Sequence, residues 1–236
     1  RELYDGLTQW MDEQVGQVLD ALRASPFAEN TVIIYTSDHG ENMGEHGLWW
    51  KNAMYDSAAR VPLIVSWPLR WKGGARRTGA CSLVDVARTL VELGGGVAPE
   101  NWDGTSMLPW LDSADAPWKD QAVVEYYSHP IASGYAMIRR GHFKYTYHTP
   151  PDEKHPAQRE LYDVSSDPGE LKNLAADPAY AGRIAELHAA LCKELRENPD
   201  DTELRCRADA AKAQKANRGK KAIGEKIKVN GGDANE

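Results

Sequence analysis

Residues 31–36, TVIIYT, are a β-branched and aromatic run with none of the alternation of a strand wet on one face, so they suit a central strand covered on both sides. The run stops at Ser37, Asp38, His39 and Gly40. Open α/β sheets gather ligands beyond the carboxyl ends of their strands, because the loops there converge on one crevice. Asp38 and His39 therefore stand where chemistry is usually done. A carboxylate is a hard anionic ligand and a neutral imidazole a borderline one, and side by side they can reach a single cation. Gly40 lets the backbone turn away without a Cβ clash. The same residues also serve as plain turn chemistry, with the aspartate bonding its local backbone, so this strand end alone leaves both readings open.

Around it, the chain reads as two textures. Leu3, Leu7, Trp10, Met11, Val15, Val18, Leu19 and Leu22 recur at three- and four-residue spacing and predict a helix over about residues 2–24, ended by Ser25 and Pro26. A helical turn is expected over 53–60, and a second apolar strand over 61–67, stopped by Pro68. Leu83 through Leu93 make another amphipathic helix, closed by three glycines, Gly94 to Gly96. From Ala122 the pattern changes to short strands over 122–127, 135–139, 143–147 and 160–162, with Gly141 supplying a tight hairpin connection. Ile184, Leu187, Leu191 and Leu195 mark a last helix over 179–197. Residues 199–236 carry few large aliphatic side chains and predict a mobile polar tail, or one that orders against a neighbouring subunit in a homo-oligomer.

Composition narrows the function. An apolar share of 42% in 236 residues supports a real core, and a net charge of −7 argues against nucleic acid as a partner, which needs clustered excess Lys and Arg. Cys81, Cys192 and Cys206 are odd in number and far apart, so neither a disulfide framework nor a zinc knuckle is indicated. No apolar run has the roughly 20 residues of a membrane helix. The chain opens at Arg1 without Met, as a fragment would, and leaves cytoplasmic and periplasmic locations equally open.

Taken together, SDHGENMGEHGLWWK over 37–51, Tyr55 and ARVPLIV over 59–65 resemble the later half of the sulfatase family of the alkaline-phosphatase superfamily. Asp103, Gly104 and Ser106 resemble that family's DG-x-S linker out of the catalytic domain, and LYD over 161–163 through Asp167, Pro168, Glu170 and NLA over 173–175 resembles its carboxyl-terminal signature, with a structural role. Many sulfatases carry Asn where this chain has His39; the Asp-His pair is similar to the choline-sulfatase-like and phosphonate-monoester-hydrolase-like branches. The resemblance implies an α/β fold: part of an alkaline-phosphatase-like central sheet with flanking helices over 1–112, then a small antiparallel sheet plus helix over 113–198.

The resemblance also assigns roles. Asp38 and His39 look like two ligands of a divalent metal, with Ca2+ expected and Mn2+ or Mg2+ as alternatives. Lys51 looks like the cation that contacts the sulfate and the bridging oxygen, and is both a catalytic and a substrate-binding residue. His46 is read as a catalytic acid or donor, or else as a structural histidine pinning the glycine loop. Trp50, with Trp49 and Tyr55, would wall the pocket against a cationic or sugar group, although aromatics flanking a strand more often belong to the core. Arg60 is expected to order the strand entry. His129, Tyr126 and Tyr127 are undecided. The implied partner is a sulfated small molecule or carbohydrate. The family's nucleophile, a formylglycine made in a C/S-x-P-S-R motif, has no counterpart in these residues and is expected in an amino-terminal half. A phosphonate or phosphodiester hydrolase of the same superfamily, and a noncatalytic fragment, are the competing readings.

Overall fold

The computed structural model describes residues 1–127 and 131–230. They fall into two units, each with its own core.

The first unit comprises Arg1–Ala122, Arg140–His142 and Asp163–Lys172. It opens with α1, Glu2–Arg23, whose apolar stripe forms as the periodicity predicts. None of its residues is buried, and Leu3 and Val18 are 87% and 69% exposed. Strand β1, Ile33–Thr36, pairs antiparallel with β4, Leu63–Ser66, through Ile33↔Ser66 to Thr36↔Leu63. Within this chain β1 is half-buried, and among the described residues its sheet has two strands. A continuous β-branched run favours extended backbone whether or not anything covers it, and periodicity does not reveal the cover.

Between these strands lie the short β2, Asn42–Met43, and β3, Trp49–Trp50, paired with each other, and one turn of helix, α2, Asp56–Ala59. Helix α3, Leu83–Leu93, starts with a capping box in which Ser82 and Asp85 satisfy each other's backbone N–H groups. Its Val86 packs with Met107 and with Trp110 of α4, Leu108–Asp112, whose ring stacks on Trp118 at 4.6 Å. The DG-x-S segment lies against α3. A Cβ on Gly104 would stand 2.1 Å from the Val84 carbonyl oxygen, so only glycine fits. Fully buried Asp85 accepts from Thr105 N and from Lys119 Nζ, both at 2.7 Å.

The second unit comprises Val123–Arg139, Phe143–Tyr162 and Asn173–Glu236. Its centre is an antiparallel sheet in the order β5-β6-β7-β8, formed by Gln121–Tyr126, Tyr135–Arg140, Phe143–His148 and Gln158–Asp163. One face is sealed by α5, Ala181–Leu195, through Leu187, Ala190 and Leu191 against Ile138, Tyr145 and Leu161. The NLA signature has a mechanical reason: the Asn173 carboxamide accepts from Leu161 N at 3.0 Å and Ala175 N at 2.9 Å, and Leu174 N bonds Leu161 O.

The segment expected as a mobile polar tail is instead helical from Pro199 to Asn230 (α6), and its last residues, 231–236, lie outside the described residues. Its first turns are held by polar side chains that an apolar count does not register. Tyr147 donates to Asp200 at 3.1 Å, Gly134 N donates to Glu203 at 3.0 Å, and Arg207 donates to the carbonyls of Ala132 and Pro151. Among the described residues no helix is long and apolar enough to cross a membrane.

Candidate active site at the end of the first strand

The loop leaving β1 is built by its own backbone. Ser37 Oγ donates to His39 O at 2.8 Å, and His39 N donates to Asp38 Oδ1 at 3.0 Å. That backbone bond holds the Asp38 carboxyl below its usual range, so it is an anion at neutral pH. Its side chain is 82% exposed. Gly40 N and Glu41 N then donate to Ala58 O and Ser57 O, each at 2.8 Å. A Cβ on Gly40 would lie 2.1 Å from Ser57 O, which is why the turn takes glycine.

The β2–β3 hairpin does the rest. Its tip uses Gly44 and Gly47 at φ 104° and 70°, and the register Asn42↔Trp50 returns the chain beside its own start. Lys51, the residue after β3, thereby comes back to His39 across 12 positions, with Nζ 2.9 Å from Nε2. Buried Asn42 fixes this return: its Nδ2 donates to Trp50 O and its Oδ1 accepts from Ser57 Oγ, both at 2.5 Å.

The imidazole's hydrogens follow from its partners. Nδ1 lies 2.8 Å from the Gly40 carbonyl, an acceptor only, so Nδ1 carries the proton. Nε2 then presents its lone pair to the Lys51 ammonium, and Asp38 Oδ2 lies 3.2 Å from the same nitrogen. A backbone carbonyl on one ring nitrogen leaves the lone pair on the other, as in a metal-ligating histidine, and here that lone pair is engaged by the Lys51 ammonium. Asp38 and His39 fit a cation as a pair of donors. Among the described residues no group of three or more His, Cys, Asp or Glu gathers around one point.

The chain matches the sequence model of "N-sulphoglucosamine sulphohydrolase, C-terminal" over residues 44–198. The chain belongs to the sulfatases. It is 32% identical to an N-acetylglucosamine-6-O-sulfatase of Bacteroides thetaiotaomicron, over 82% of this chain and 36% of that protein. With a choline-sulfatase of Rhizobium meliloti the figures are 33%, 75% and 33%. Among solved structures it resembles a protein in complex with its substrate D-glucosamine-2-N,6-O-disulfate, with a TM-score of 0.72 at 31% identity over 80% of this chain and 40% of that one. A phosphonate monoester hydrolase of Agrobacterium radiobacter gives a TM-score of 0.66 at 30% identity, over 78% and 39%. The expected fold class, part of an alkaline-phosphatase-like domain followed by a small sheet and helix, is that of these proteins. This sulfatase chain spans about a third of the length of the curated relatives it matches.

In this sulfatase chain Asp38, His39 and Lys51 come together. His46 stands apart from them in its contacts: at φ 53° its ring stacks flat on Tyr55, 3.7 Å between centroids. Trp49 and Trp50 are 65% and 72% exposed in this chain. Arg60 pairs with Asp56 on α2 at 3.6 Å. Tyr126 stacks on Tyr135 within the second unit, and burial pushes the Tyr127 hydroxyl well above its usual range. His129 lies outside the described residues. Sequence reading missed Asn42 and Ser57, whose signal is a polar pair with no apolar alternation around it.

Proposed function

We propose that this chain carries the carboxyl-terminal share of a sulfuric ester hydrolase site, acting on a sulfated small molecule or carbohydrate. The observation that carries the reading is the convergence of a carboxylate and an ammonium on one imidazole nitrogen, His39 Nε2, at 3.2 Å from Asp38 and 2.9 Å from Lys51. Asp38 and His39 Nε2 would hold a divalent cation, with Ca2+ implied by the family resemblance and Mn2+ or Mg2+ as alternatives. Once bound, such an ion supplies Lewis acidity toward a sulfate oxygen. Lys51, a compact cation with rotatable donors, would offset charge growing on the leaving oxygen, a contribution of about 3 kcal/mol to the transition state. Trp50, exposed next to it, offers a face to the ester's organic group. His46, held by its stack on Tyr55, would shape the loop or donate to substrate from that fixed ring.

The formylglycine nucleophile would come from an amino-terminal half, since no C/S-x-P-S-R occurs in these 236 residues. The chain by itself is therefore proposed to be inactive. The test is a Mn2+ or Ca2+ titration by calorimetry or spin resonance. Wild-type chain should bind one ion, at about millimolar strength given so few protein ligands. Asp38→Ala and His39→Ala should weaken it at least tenfold, while Lys51→Ala should leave it intact. Unchanged affinity in Asp38→Ala would remove the metal site.

The likeness to a phosphonate monoester hydrolase favours a second reading on the same residues, hydrolysis of phosphonate monoesters or phosphodiesters. With the chain joined to a polypeptide bearing the nucleophile, the ratio of aryl sulfate to aryl phosphonate turnover separates the two.

A further inference from the structure

The Asp167-Pro168-Gly169-Glu170 part of the carboxyl-terminal signature does more than turn the chain. Helix α2 begins at Asp56 after Tyr55, which provides no side-chain cap. The N–H of Asp56 is instead taken by Glu170 Oε2 at 2.5 Å, from a residue 114 positions away in the same unit. Glu170 is buried, at 3% exposure, and its backbone is left-handed, at φ 53°. A carboxylate in that position requires hydrogen-bond partners, because burial without them is strongly unfavourable. The turn that presents it is over-determined: Glu170 N bonds Asp167 O, and the Asp167 carboxylate accepts from Leu171 N and Lys172 N.

From Asp56 the bonding runs toward the site. Ser57 O and Ala58 O receive Glu41 N and Gly40 N, the two residues directly after His39. Ser57 Oγ holds Asn42, and Asn42 holds Trp50 O, directly before Lys51. The clearance at Gly40 prevents α2 from moving closer, and the two backbone bonds prevent it from moving away. Both arms of the cluster thus hang from one helical turn whose first N–H is fixed by Glu170.

We propose that Glu170 is a positioning residue for the Asp38–His39–Lys51 cluster, acting through α2 and Asn42. The inference rests on the reading of that cluster as the active site. Its test needs no metal and no turnover. The full chain is labelled with nitrogen-15, and the two ring nitrogens of His39 are observed in long-range proton–nitrogen spectra at neutral pH. The wild-type shifts of the two nitrogens set the reference signature. Glu170→Gln keeps an oxygen at full reach and should retain that signature. Glu170→Asp keeps the charge but is one methylene short, and should lose it, His39 shifting toward the mixed tautomers of a free imidazole. As a control, Asp112→Ala removes the ion pair with Arg70 in the same unit and should lower the melting temperature with His39 unmoved. The proposal is overturned if His39 stays at its wild-type shifts in Glu170→Asp, or if Asp112→Ala moves it as far. A Mn2+ titration of the same samples keeps the two readings apart. His39 shifting in Glu170→Asp supports the positioning role even where Asp38→Ala fails to alter Mn2+ affinity and the metal site falls.

Discussion

Gly40 and Glu170 act at opposite ends of one bonding chain, and they differ in how readable they are. A glycine after Asp38 and His39 announces a sharp turn, but the reason it must be glycine is a carbonyl oxygen 17 positions on, 2.1 Å from where a Cβ would be. Gly40→Ala is expected to destabilise the fold by about 1–3 kcal/mol, the usual range for forced overpacking. Urea denaturation measures this, and a loss within error of zero would mean that α2 gives way easily. The Asp38, His39 and Lys51 trio was legible because motif and chemistry coincide. Asn42 was not, since a buried amide bridging two loops leaves no periodic trace in sequence.

At the scale of elements, the helices and strands follow their patterns closely, because amphipathic spacing and β-branched runs are local properties. Partners are not local. The sheet of the second unit buries tyrosines whose hydroxyls pay for their positions in ionisation: burial pushes both Tyr145 and Tyr147 up to about 12. A raised folded value means that the native state holds protons the unfolded chain has given up. The stability these hydroxyls contribute is therefore complete below the unfolded value of roughly 10 and is lost as pH rises toward 12. Melting temperature followed with tyrosinate absorbance should show that alkaline decline, and tyrosinate forming at an ordinary tyrosine pH without unfolding would contradict it. Helix α6 makes the complementary point. Its anchors are charged, so Glu203→Ala, which strips Gly134 N and Arg207 of their acceptor, should cost about 1–3 kcal/mol by urea denaturation. A change below that range would mean that α6 is held by other contacts.

For the molecule as a whole, apolar faces are left open. Leu7 and Val18 on α1 are 67% and 69% exposed, Ile64 on β4 60%, and Val84 and Leu90 on α3 about half. Exposed stripes of this kind mark surfaces for further protein. On a chain spanning about a third of its sulfatase relatives, they are expected to receive more of the fold or, in isolation, one another. Sedimentation of the isolated chain should show self-association, reduced in Leu7→Glu/Val18→Glu; a monomer unaffected by those changes would mean the stripe stays solvated. The sequence by itself determined the family and most of the longer helices and strands, and it named the three side chains of the candidate site, because each is written in spacing or in contiguous motif. Only the tertiary structure decided that β1 pairs antiparallel with β4, that α6 is tied down by acids and arginine, and that Glu170 caps a helix 114 residues before it. Those outcomes depend on which hydrogen-bonding groups meet across long loops, and that meeting is set by the closure of the whole chain.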